Sequence, residues 1–102
     1  MDMKKMMKQA QKMQRDAAAA QQEIAAMTFE ASAGGGMVKA TATGEMAITD
    51  ITIDPAAVDP EDVEMLQDLV ISAVNEALRQ AEEAMESAMG TLTGGLNIPG
   101  LF

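Results

Sequence analysis

The stretch TFEASAGGGMVKATATGEMAITDITID, residues 28–54, decides the fold of this 102-residue chain. Its apolar and polar residues alternate with period two, as half-buried strands require. The alternation is broken at two places. Gly34–Gly36 supplies one turn, where a chain reversal needs backbone freedom, and Gly44 supplies a second. In the third run Ile51 and Ile53 share a face, while Met46 and Ile48 fall in the opposite phase. That slip near Thr49–Asp50 predicts a bulge or bend. Three short strands with tight turns predict an antiparallel meander, which needs helix over one face to be stable.

The flanks supply the helices. Upstream, Met3, Met6, Ala10, Met13, Ala17, Ala20, Ile24 and Met27 recur at spacings of three and four. This is a heptad-like apolar seam, and neither Gly nor Pro interrupts it, so a helix is predicted over about residues 2–27. Downstream, Asp59 is the expected N-cap and Pro60 the first helical residue, with Glu61 and Asp62 favouring the positive helix end. Val63, Leu66, Val70, Ala73, Ala77, Ala81, Ala84 and Ala88 form its apolar stripe, widened by Leu69, Val74 and Leu78. Gly90 is the expected C′ residue. The fold class is therefore α+β: a long N-terminal helix, a three-stranded antiparallel meander and a C-terminal helix. Residues 1–90 read as one domain and 91–102 as a flexible Gly-rich tail.

Composition argues for self-association. The chain has 11 Met, 2 Phe, and no Trp, Tyr, His or Cys, and many of its 48% hydrophobic residues are Ala. A core of Ala and Met removes little area from water per residue, so a core shared between subunits is expected. Met6, Ala10, Met13 and Ala17 on the first helix, with Leu66, Val70 and Val74 on the second, are the candidate residues of the dimer and core seam.

The same inventory argues against an enzyme. Without His or Cys there is no imidazole proton shuttle, thiol nucleophile, or nitrogen or thiolate metal ligand. Asp54, Asp59, Glu61, Asp62 and Glu64 cluster at a helix start, where capping explains them. The Gly34–Gly36 run lacks phosphate-loop spacing and leads into a strand, so it reads as a turn. The Met stripe suggests a copper(I) site, but heptad packing already accounts for it. No cofactor, metal or small-molecule substrate is expected. No apolar run reaches membrane length or forms the h-region of a signal peptide, and the expected setting is the cytoplasm.

Charge supplies the candidate site. The net charge is −9, yet Lys4, Lys5, Lys8, Lys12 and Arg15 give the first fifteen residues +4 against Asp2 alone. The other 87 residues therefore carry −13. On a helix the five basic residues fall away from the apolar seam, and Lys5, Lys8, Lys12 and Arg15 form one stripe over about three turns. Lys4, Lys8 and Lys12 repel one another at i, i+4, and cations are disfavoured at a helix N-terminus. Such a stripe, kept against local penalties, points to an anionic partner.

In order along the chain, MKKMMKQAQKMQ, AGGGMVKATATGE, ITIDPAAV, LQDLVISAVNEALRQAEEA and MGTLTGGLNIPG together resemble the YbaB/EbfC family of bacterial nucleoid-associated proteins. The resemblance implies a tweezer-like homodimer that binds double-stranded DNA with weak sequence demands. It also implies a role in nucleoid organisation or gene regulation, and hence a nucleoid location. The family's DNA contacts, attributed to helical arms, map onto Lys4, Lys5, Lys8, Lys12 and Arg15. The rival reading is a protein-interaction module that docks partner helices through the Met/Ala seam.

Overall fold

The computed structural model describes residues 2–94. Helix α1 spans Met3–Ala26, strands β1, β2 and β3 span Thr28–Ala33, Val38–Thr43 and Ile48–Ile53, and helix α2 spans Val63–Gly94. A single 3-10 turn, Pro55–Ala57, links β3 to α2. The sheet order is β1-β2-β3, and both pairings are antiparallel. The expected α-β-β-β-α order and meander are present.

The strand alternation has a direct physical result. Phe29, Ala31 and Ala33 of β1 lie opposite Ala42, Ala40 and Val38 of β2, so all six share the inner face. The outer face carries Glu30, Ser32, Lys39, Thr41 and Thr52. On β3, Ile53 pairs with Val38 and Ile51 with Ala40, but Ile48 rather than Thr49 pairs with Ala42. Thr49 is thus the extra residue of a bulge, and Ile48, Ile51 and Ile53 all reach the inner face despite their phase slip. Met46 belongs to the turn before β3 and has φ 64°, not to the strand itself.

Helix α2 lies over β1 and β2. Ala73, Ala77 and Ala81 are fully buried on it, and Leu66, Leu69, Val70, Val74 and Leu78 pack around the core. Small residues on helix and sheet let the two backbones approach closely. The consequence is a thin core: the buried apolar residues described are seven alanines and Val38.

Two helix boundaries differ from expectation. The α2 N-cap is Asp62, whose side chain accepts from the Met65 N–H at 3.2 Å. Asp59 instead caps the preceding turn, accepting from the Glu61 N–H at 2.9 Å. Both aspartates satisfy the capping chemistry; the turn closed by Asp62 N–H to the Asp59 carbonyl delays the helix by one turn. At the other end α2 passes through Gly90 to Gly94, because Gly in a helix costs only about 1 kcal/mol relative to Ala. The rest of the expected tail lies outside the described residues.

Helix α1 divides into two parts. Ala17, Ala20, Ile24 and Ala25 are half-buried where α1 meets α2 and β2. Residues 2–16 are exposed on every side and form an arm, about 20 Å long at 1.5 Å per residue. The base of α1 is anchored at Gly44, whose N–H donates to the Met27 carbonyl at 3.2 Å.

Candidate nucleic-acid interface

The arm begins at Asp2, whose carboxylate accepts from the Lys4 N–H at 3.0 Å and whose carbonyl accepts from the Met6 N–H at 3.2 Å. This cap fixes the first turn and hence the direction of the lysines that follow. With 3.6 residues per turn, Lys4, Lys5, Lys8, Lys12 and Arg15 project from one side of the arm. Met3, Met6, Met7, Ala10 and Met13 project from the other. Lys5, Lys8 and Lys12 line one shallow groove with Gln9, and Met3, Met6, Met7 and Ala10 line another. All five basic residues are exposed.

None of the five has an ion-pair partner among the described residues. Arg79 on α2 makes the contrast. Its guanidinium donates to Glu76 at 2.9 and 2.7 Å and to Glu83 at 2.7 Å. Those hydrogen bonds hold the Glu76 carboxyl below its ordinary pKa and push Arg79 still higher. Arg79 is thus already engaged, while the arm's cations are available to an anion. Lys39 is exposed on the outer face of the central strand β2, remote in sequence from the arm.

The seam residues separate in the same way. Leu66, Val70 and Val74 pack against the core, and Ala17 is half-buried at the arm's base. Met6, Ala10 and Met13 are exposed in the single chain. The structure adds Gln11 and Gln14, which flank Arg15 in a further groove. Their positions four and one residues before Arg15 are the signal that the sequence offers for them. Among the described residues there is no cluster of potential metal ligands and no helix long and apolar enough to cross a membrane.

An arm of exposed cations, unpaired among the described residues, on an otherwise acidic chain is suited to a polyanion. Residues 1–96 match the YbaB/EbfC DNA-binding family. A protein of Desulforamulus reducens named "Nucleoid-associated protein" is 62% identical over 101 residues, covering 99% of this chain and 96% of that one. One of Pelotomaculum thermopropionicum with the same name is 55% identical, with the same coverage. In structure, an uncharacterized protein of Helicobacter pylori superimposes with a TM-score of 0.76 over 91% of this chain and 98% of its own, at 22% sequence identity, which establishes the shared fold. With its arm, its meander and nearly its whole length matched, the chain belongs to the YbaB/EbfC DNA-binding family.

Proposed function

We propose that the chain works as a tweezer-like homodimer in the bacterial nucleoid, gripping double-stranded DNA between its two basic arms. The observation that carries this reading is the set of five exposed, unpaired basic side chains on one side of the arm. Two arms present up to ten such groups to phosphates. Each contact releases condensed counterions, so affinity falls steeply with salt.

Specificity is low by the same chemistry. Four of the five groups are lysines, point charges suited to phosphates rather than to bidentate reading of guanine. The acidic remainder of the chain repels the duplex and confines contact to the arms. A protein of this kind organises the nucleoid or modulates transcription by occupying DNA broadly, in keeping with the names of its relatives.

The test is fluorescence anisotropy of two unrelated labelled duplexes at about 50 and 200 mM salt, a range over which phosphate-dominated binding changes by orders of magnitude. Similar affinity for both duplexes that collapses with salt is the expected result. A strong preference for one duplex overturns the low specificity, and no binding at the lower salt overturns the arm as a DNA site.

A further inference from the structure

The basic side of the arm accounts for DNA binding and leaves its apolar side without a role. Met3, Met6 and Met7 are 72%, 54% and 60% exposed, and with Ala10 they line one shallow groove. Three thioether sulfurs at i, i+3 and i+4 thus stand together on a helix face open to solvent. The next most exposed methionine among the described residues is Met27, at 46%. Met37 and Met85, beside the sheet and on α2, are half-buried.

Composition and charge add to this. The chain has no Cys, Trp, Tyr or His, so its thioethers are the soft groups that an oxidant meets first. Lys4, Lys5 and Lys8 flank the three arm methionines, and a positive field concentrates an anionic oxidant such as hypochlorite around them. Met46, Met65 and Met85 instead each stand next to a glutamate, Glu45, Glu64 and Glu86.

We propose that the methionine side of the arm is a site of reversible oxidation, with a hypohalous acid as the oxidant. In the net step with hypochlorous acid, an S–O bond forms and the O–Cl bond breaks. Sulfur loses two electrons, chlorine leaves as chloride, and one proton is released. A methionine sulfoxide reductase reverses the change with two thiols, which become a disulfide as the oxygen leaves in water.

The setting decides what oxidation does. In a packed core a sulfoxide disrupts its surroundings, because an apolar side chain has become polar. On the arm it meets water, since residues 2–16 are exposed on every side. Lys5, Lys8 and Lys12 line a separate groove and keep their charge. Oxidation therefore turns an apolar face polar, and closes it to apolar partners, without loosening the fold or the hold on phosphates. The hold on phosphates rests on the DNA reading above; the oxidation site and its reversal do not.

Treatment of the full chain with about one equivalent of hypochlorous acid, then cleavage at glutamate and tandem mass spectrometry, tests this. The first glutamate is Glu23, so residues 1–23 stay in one peptide. Met3, Met6 and Met7 should each carry more sulfoxide than Met27, Met46 or Met65, and about twofold or more over half-buried Met37 and Met85. Reductases for both sulfoxide epimers should restore the three thioethers in the folded chain. Far-UV circular dichroism should be unchanged by oxidation, and DNA affinity by anisotropy should stay within about twofold at fixed salt. Sulfoxide that forms first on the sheet or α2, or evenly along the chain, overturns the site. Sulfoxides that the reductases leave in place overturn its reversibility. Selective oxidation that unfolds the chain or abolishes DNA binding overturns the separation of the two sides. An untreated chain that binds no DNA overturns the DNA reading, and the mapping and circular dichroism then still decide the oxidation site.

Discussion

The backbone of Gly44, in the turn after β2, lies directly against the Ile24 carbonyl in the last turn of α1, leaving no room for a Cβ. Its φ is not in the left-handed region, so glycine is required by this close approach and not by backbone conformation. Together with the hydrogen bond from Gly44 N–H to the Met27 carbonyl, the contact fixes where the arm leaves the sheet. Gly44→Ala must push α1 off the turn, since the obstructing atoms are backbone. A loss of about 3 kcal/mol in urea unfolding is expected, at the upper end for overpacked sites. Wild-type stability for this variant would show that the junction is slack.

Helix and sheet are held together by alanine. Ala77 is fully buried against a face that includes Ala31, Ala40 and Ala42. Ala77→Leu inserts a side chain where the backbones are already close, and should lower stability by about 1–3 kcal/mol. Ala19, on the exposed side of α1, provides the control: Ala19→Leu should change the unfolding midpoint little.

Lys8 and Lys12 stand one turn apart and share a groove. Removing one phosphate contact lowers the slope of log affinity against log salt by about 1. In a dimer with two equivalent arms, Lys8→Gln should therefore lower it by about 2, and equally for unrelated duplexes. Met6→Gln and Met13→Gln leave the cations in place and should leave that slope unchanged. A large loss of DNA affinity from the Met variants alone would favour a docking role for the seam over the basic side.

Glu76 should titrate below the ordinary carboxylate value of 4.5 because Arg79 is hydrogen-bonded to its charged form. The native state thus gains from the pair above the unfolded carboxylate pKa and loses that gain as pH falls through the lowered native value. Both side chains reach solvent, Arg79 at 59% and Glu76 at 43% exposure, so global stability should barely move. Side-chain carboxyl resonances followed by NMR provide the measurement. Arg79→Ala should return Glu76 to its ordinary value, and an unchanged midpoint would mean that the pair does not persist in solution.

The sequence by itself determined the secondary structure and the arm's chemistry. Period-two alternation between Thr28 and Ile53 defined the strands, and the phase slip at Thr49 was readable because a bulge is the only way to keep Ile48, Ile51 and Ile53 on one face. The three-four spacing from Met3 to Met27 set Lys4, Lys5, Lys8, Lys12 and Arg15 opposite the methionines, since side-chain direction on a helix follows from spacing alone. Boundaries were less legible. Asp59 and Asp62 are both competent caps, and local chemistry could not choose between them. Gly90 permits a helix stop without enforcing one.

Tertiary structure decided what the same seam does along its length. Ala17, Ala20 and Ile24 meet α2 while Met3, Met6 and Met13 do not, although their spacing is identical. It also decided that α2 crosses β1 and β2, so that Ile51 and Ile53 stay open, and that Arg79 is engaged by Glu76 and Glu83 while the arm's lysines have no acidic partner among the described residues. The reason is physical. Periodicity fixes which side of an element is apolar, but what covers that side depends on where chain reversals such as Gly44 set one element against another.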